Sequence, residues 1–303
     1  MKRDIYQQVT DQIIAELESG VLPWRKPWSA GHLAGPVSRP LRHNAQPYSG
    51  INVLMLWMAA MARGFDAPLW MPYLQAKELG GHVRKGEKGS PVVYAGTLTK
   101  EEETAEGERE TREIPFLKTY TVFNVEQIEG LPGHFTACHP PQINEGQRIA
   151  RAEAFFAAIG AEIAHGGNRA FYAPGPDRVQ MPDFASFRKP EAYYGTLGHE
   201  LIHWTGHGSR LDRQHNKDRF GSEAYAMEEL VAEIGAAFLC ADLALEPQIR
   251  EDHAPYIAGW LKVLKEDRRA IFTAAAGAQK AADYLHGLQA PSEAERAHAL
   301  AAE

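Results

Sequence analysis

Residues 195–208 read GTLGHELIHWTGHG, and within them stands His199-Glu200-Leu201-Ile202-His203. On a helix, positions i and i+4 share a face, so the two imidazoles can grip one ion. Histidine nitrogens bind zinc at about 2.0–2.1 Å. Glu200, turned roughly 100° from its neighbours, can serve as a proton acceptor for water instead of a ligand. Leu197, Leu201, Ile202 and Trp204 are apolar, and no other charge interrupts the run from Tyr193 to Gly208. These features predict a buried catalytic helix.

A catalytic zinc site takes three protein ligands and keeps one position open. Residues 222–239, SEAYAMEELVAEIGAAFL, carry an apolar surface of Met227, Leu230, Val231, Ile234 and Phe238, with Glu228, Glu229 and Glu233 on the same helix. Carboxylates beside an apolar stripe need a cationic partner. Glu229 is assigned as third ligand, and Glu233 as the acceptor that orients His199. Glu228 and Glu233 remain alternatives for the metal. His207 is expected to cap the helix end or lie just outside the ligands, since the longer three-histidine pattern would need a histidine where Ser209 stands. Tyr225 lies one turn before Glu229, a packed tyrosine or an oxyanion donor. The chemistry implied is metal-assisted peptide hydrolysis with Glu200 as general base. Arg178–Met181, expected as a strand, could line the cleft and pair with an extended peptide.

Outward from this core, the 303 residues suggest two domains, and 44% hydrophobic with 23% charged residues describes a globular chain. Periodicity predicts an α+β fold. Residues 1–135 form one domain: a first helix (Ile5 to Leu17), a buried helix over 51–63, a short helix over 70–79, and strands at 91–94 and 120–123. The polar run KEEETAEGERETRE (100–113) reads as an exposed hairpin loop. Residues 136–303 form a mainly helical domain with a small sheet, including a helix over 150–163. Two cysteines, Cys138 and Cys240, exclude a disulfide scaffold and fit a reducing cytoplasm. No apolar run is long enough to span a bilayer.

The net charge of −7 excludes a generic polycation, so nucleic-acid binding requires a local patch. Residues 19–65 supply one: five basic residues and no acidic one, interleaved with Trp24, Trp28, Tyr48, Trp57 and Phe65. Cations track phosphates, and aromatic faces stack on unpaired bases. Trp24, Arg25, Lys26, Trp28, Arg39, Arg42 and Tyr48 are therefore expected DNA contacts, joined by Arg84, Lys85 and Lys88 in the turn HVRKGEKG (82–89). The stretch 101–113 holds seven acidic and two basic residues, an acidic flap that could screen a basic groove.

The motifs LPWRKPW, YSGINVLMLW, RKGEKGSPVVY and TVFNVEQIEGL resemble the amino-terminal domain of ArdC-type antirestriction proteins, which is related to domains of TraC-like primases and phage polyvalent proteins. YYGTLGHELIHWTGHGSRL and AYAMEELVAEIGAAFL resemble the zincin-like metallopeptidase domain of the same family. The resemblance implies a plasmid-borne, cytoplasmic protein that binds single-stranded DNA and protects incoming conjugative DNA from host restriction. It also implies Zn2+ or another divalent ion held by His199, His203 and Glu229, with Glu200 catalytic. Restriction-modification proteins or a peptide substrate are further partners it leaves open. Two other readings fit the same residues: a DNA-tethered zinc protease acting on DNA-bound proteins, and a DNA-binding module whose zinc is purely structural.

Overall fold

The computed structural model describes residues 4–24, 38–103, 109–136, 145–213, 222–245 and 254–290. In chain order these form α1 (Ile5–Glu18), β1 (Leu41–Arg42), α2 (Ile51–Arg63), β2 (Leu69–Pro72), α3 (Tyr73–Glu78), β3 (His82–Val83), β4 (Ser90–Glu103), β5 (Arg109–Asn124), β6 (Ile128–Glu129) and α4 (Gly133–Thr136). They continue through α5 (Glu145–Ala157), β7 (Glu162–His165), β8 (Phe171–Ala173), β9 (Arg178–Met181), α6 (Pro190–Thr205), α7 (Glu223–Asp242), α8 (Ala254–Glu266) and α9 (Ala270–Gly287). The fold is α+β, with a mixed sheet in one part and a helical arrangement with a small sheet in the other.

Two compact units result, Pro40–His139 and Met1–Arg39 with Pro140–Glu303. The first 39 residues thus join the helical unit, whereas the sequence reading grouped them with the residues that follow. The reason is the apolar stripe of α1. Val9, Ile13 and Leu17 are buried, and α1 packs on α8. Thr10 Oγ1 donates to the carbonyl of Arg268 at 2.8 Å, and the Tyr6 and Phe272 rings meet edge-on at 4.6 Å.

In the Pro40–His139 unit, the sheet order is β1-β2-β5-β4, with β1 and β2 parallel and the other pairs antiparallel. β3 and β6 form a separate two-stranded ribbon. The sequence reading of 70–79 as one helix is corrected: Leu69–Pro72 is strand, and the helix starts only at Tyr73. Proline restricts the residue before it to extended backbone, which holds Met71 in the sheet. The polar run 100–113 is corrected too. It extends β4 and β5 in register, from Lys100↔Arg112 to Glu103↔Arg109, and only 104–108 lies outside the described residues. A two-stranded extension needs no apolar face to satisfy its backbone, so polarity alone could not mark it as loop. Asn52, the polar residue near the start of the α2 run, is used at the sheet edge. Its side-chain amide donates to Val93 O at 2.9 Å and accepts from Val93 N at 2.8 Å, closing the outer edge of β4.

In the helical unit, α7 packs on α6, α8 and α9. α5 ends at Ala157, and Gly160 at φ 72° turns the chain into β7, so the expected helix over 150–163 is two elements. The small sheet has the order β7-β9-β8. β9 is therefore central, flanked by β7 (parallel) and β8 (antiparallel), and the expectation that Arg178–Met181 pairs with a peptide is corrected. Both its edges already hold ladder partners.

Gly235 of α7 lets the two site helices approach. A Cβ there would lie 2.8, 2.9 and 3.1 Å from three side-chain atoms of Ile202, itself fully buried on α6. Gly235→Val is expected to cost about 1–3 kcal/mol by overpacking. It should lower the thermal midpoint and weaken metal binding, because Glu229 on α7 moves away from the histidines on α6. An unchanged melting curve would show that the helices tolerate the added bulk.

Candidate functional site

α6 opens with Pro190 in its first turn, where the missing N–H costs nothing, and runs to Thr205. His199 and His203 stand one turn apart near its end. Their Nε2 atoms are 3.2 Å apart, with the rings at 78°. α7 starts at Ser222, whose side chain caps the Tyr225 N–H, and brings Glu229 to the pair. Glu229 Oε2 is 3.5 Å from His199 Nε2, and its Oε1 is 3.7 Å from His203 Nε2. A tetrahedral ion with bonds of about 2.0–2.1 Å holds its donors roughly 3.3–3.4 Å apart. The two nitrogens stand near that spacing, and each meets a different oxygen of Glu229, so the three side chains can converge on one divalent cation. His199, His203 and Glu229 are the metal-site set found among the described residues.

The far side of each imidazole faces a second carboxylate. His203 Nδ1 is 3.2 Å from Glu228 Oε1. His199 Nδ1 is 3.4 Å from Glu233 Oε1, an ion-pair approach that falls short of hydrogen-bond geometry. An ionised carboxylate only accepts, so the His203 Nδ1 that meets Glu228 carries hydrogen and its Nε2 turns to the common point, while Glu233 places its charge behind the His199 ring. The three glutamates thus divide: Glu229 sits at the ion position, Glu228 behind His203, and Glu233 behind His199.

The charges are mutually adjusted. Burial disfavours the His203 cation. The hydrogen bond to Glu228 and the charges of Glu229, Glu228 and Glu200 outweigh that, raising its pKa to about 9. Burial would raise the Glu229 carboxyl. Hydrogen bonds from His199 and Tyr225 and the charges of both histidines outweigh that, holding it at about 2. The Glu228 carboxyl is likewise lowered: its burial is overcome by His203 and Arg213. A cation entering among the three donors replaces the proton between the rings.

Two arginines brace the site. Arg213 grips Glu228 with Nε at 3.1 Å and Nη2 at 3.0 Å, and Nη2 also donates to Ile202 O at 2.7 Å. It thereby joins Thr205 Oγ1 in capping the Ile202 carbonyl near the end of α6, and fixes the carboxylate that orients His203. Arg210 donates to Trp204 O at 2.6 Å and lies 3.8 Å over the Trp204 ring. Its other end pairs with Asp177, which accepts from Tyr172 of β8 at 2.7 Å. The small sheet is so tied to the end of α6. Neither arginine was singled out in the sequence, because each bonds across a gap that periodicity does not see.

The remaining candidates are placed as follows. Glu200 is 3% exposed, close enough to favour the His203 cation, and outside the donor set. Tyr225 hydrogen-bonds Glu229, and burial beside that carboxylate pushes its pKa up. His207 Nδ1 pairs with Ser209 Oγ at 2.8 Å beyond the helix end. Of the expected DNA contacts, Arg25, Lys26 and Trp28 lie outside the described residues. Trp24 is 1% exposed and packs edge-on to Trp260. Arg39 is buried, with Nε and Nη2 each 2.8 Å from Asp242 and its guanidinium over Phe238. Tyr48 is 2% exposed. These three are corrected to packed interior groups, whose surfaces are spent on the protein. Arg42, Arg84, Lys85 and Lys88 are exposed. Their turn is built by the FNVEQ segment. Gln127 Nε2 donates to Glu87 at 2.8 Å and to Lys88 O at 3.0 Å, and Arg84 pairs with Glu87.

With this geometry established, comparison with known proteins is informative. Residues 150–277 match the family described as zincin-like metallopeptidase, and residues 3–123 match the N-terminal domain of anti-restriction factor ArdC. The uncharacterized protein y4eC of Sinorhizobium fredii is 45% identical over 298 residues, covering 97% of this chain and 94% of y4eC. A DNA primase TraC of Escherichia coli is 39% identical over 304 residues, covering 94% of this chain but 27% of the primase. Among solved structures, the metal-free antirestriction ArdC protein from R388 plasmid has a TM-score of 0.79 at 48% identity, covering 94% of this chain and 97% of that one. Its Mn(II)-bound structure gives a TM-score of 0.76 at 47% identity, covering 94% and 98%. No helix among the described residues is long and apolar enough to cross a membrane.

Proposed function

The chain belongs to the ArdC-type antirestriction family, and from that premise we propose that it binds single-stranded DNA through its Pro40–His139 unit and shields incoming conjugative DNA from restriction, while its helical unit holds a hydrolytic metal centre. The observation that supports the hydrolytic half is the three-donor set of His199, His203 and Glu229 beside a buried Glu200 that is not part of it. Structural zinc is closed by four protein ligands, whereas three donors leave a position for substrate. When bound, a divalent cation, zinc in this reading, polarises a carbonyl and makes water more acidic.

The protein's own groups do the rest. Glu200 takes a proton from the attacking water and passes it to the leaving nitrogen. Glu228 holds the His203 ring in the ligand tautomer, and Glu233 sets its charge behind the His199 ring. Arg213 keeps Glu228 ionised and in place. Tyr225, hydrogen-bonded to Glu229, limits the freedom of that carboxylate.

The DNA half rests on the family relationship and on Arg42, Arg84, Lys85 and Lys88, all exposed in one unit. Phosphate contacts release counterions, so the log of affinity falls with log salt by roughly 0.7 per contact on a single strand. Two to four contacts give an expected slope of about −1.4 to −2.8 for the full chain on oligothymidylate, measured by fluorescence anisotropy. Salt-independent binding, or a preference for duplex, would count against the reading.

A further inference from the structure

The β4–β5 hairpin presents an aromatic face to which the sequence reading gave no role. In its register Val92 opposes Tyr120, Tyr94 opposes Lys118, and Gly96 opposes Phe116. Directly opposed residues of an antiparallel pair project from the same side. At the inner end this side is closed: Ser90, Val92 and Val122 are 1%, 0% and 0% exposed. One residue pair further out it opens, with Tyr94 at 56% and Tyr120 at 38% exposed. The Tyr94 and Phe116 rings stand 6.0 Å apart, and Lys118 Nζ sits 4.9 Å over the Phe116 ring. In the same unit the exposed Arg42 guanidinium lies 5.3 Å over the ring of the buried Tyr48.

Position 96 is a glycine for a reason that concerns these rings. A Cβ there would fall 2.7 Å from the Phe116 ring and 3.1 Å from Tyr94. Its absence lets both rings lie across the strand. The segments SPVVYAG (90–96) and FLKTYTV (116–122) contain no acidic residue. Acidic residues lie further along the same ribbon, among 101–103 and 109–113. Rings offered to solvent along one face, with Lys118 set among them and no acidic residue in either segment, match a chain of stackable bases on a phosphate backbone. A paired duplex hides its base faces and could not use the rings. Single exposed aromatics need no explanation, but several on one face with a cation among them do.

We propose that the face formed by Tyr94, Phe116 and Tyr120, with Lys118 among them, is the platform on which unpaired bases of single-stranded DNA stack, a site that rests on the DNA-binding reading above. The test uses the full chain and fluorescently labelled oligothymidylate. Tyr94→Ala and Tyr120→Ala should each weaken binding by roughly 5- to 100-fold, the range for one lost base stack. Tyr94→Phe, which keeps the ring, should restore affinity to within about twofold. Lys118→Ala should flatten the salt slope by about 0.7. On the unaltered chain, photo-crosslinks from 5-iodouracil oligonucleotides should fall in the peptides carrying Tyr94, Phe116 or Tyr120, which needs no variant to fold. If the wild-type chain binds while both alanine variants bind equally well and crosslinks map elsewhere, the platform is refuted and the DNA reading stands. If the wild-type chain does not bind single strands, the DNA reading falls and the platform with it.

Discussion

Glu200→Gln is expected to leave divalent-metal affinity within a few-fold of wild type and to lower peptide hydrolysis by about 10²–10⁴-fold. The two effects separate because the carboxylate lies outside the donor set, yet is buried on the same helical turn as His199. Glutamine matches the shape and removes the proton acceptor. Hydrolysis of an unstructured protein such as casein, with metal content measured on the same sample, reads both. Undiminished hydrolysis would remove Glu200 from the chemistry. Loss of the metal would place it among the ligands. The variant also divides the functional readings. Antirestriction that survives the substitution would rest on DNA binding alone, and antirestriction that collapses would tie protection to cleavage.

His203→Ala should abolish stoichiometric metal binding at micromolar concentrations, since two donors remain where three are required. A graded series behind it reports how the ring is held. Arg213→Met and Glu228→Gln should each weaken metal binding by about 10–100-fold, the usual cost of losing the partner of a ligating histidine. Their effects should not add. Arg213 acts on His203 through Glu228, gripping it at 3.1 and 3.0 Å while Glu228 meets the ring at 3.2 Å. Isothermal titration with Mn2+ or Zn2+ on the two single variants and the double variant measures that coupling. Strictly additive losses would mean that the arginine supports the site by capping α6 at Ile202 O and not by fixing the carboxylate.

The metal centre was legible along the chain because helical spacing makes it so. His199 and His203 are one turn apart, and Glu229 and Glu233 repeat that interval on a second apolar helix. What spacing could not provide was the division of labour among Glu228, Glu229 and Glu233. That depends on how α7 is rotated against α6, which the contact of Gly235 with Ile202 governs. Arg213 escaped notice for a related reason: it works by folding back on the end of the helix it follows.

The aromatic amino-terminal stretch shows the opposite case. Composition alone grouped Trp24, Arg39 and Tyr48 with exposed cations, but composition carries no information on burial. Trp24 and Arg39 fill the helical unit, where Asp242 and Phe238 satisfy the guanidinium. Tyr94 and Tyr120 looked like ordinary strand residues and Phe116 fell outside the expected strands, and strand propensity is the same for a ring facing core or water.

Residue order was thus sufficient for the most local matters: that the segments near 5–17 and 51–63 coil, and which imidazoles share a face. Those properties depend on neighbours within a turn or two. Contacts between distant segments settled the rest, namely which carboxylate meets the ion position, which strand of the small sheet has both edges paired, and which aromatic rings remain uncovered. Each is set by the packing of one element against another, and no pattern within either segment encodes it.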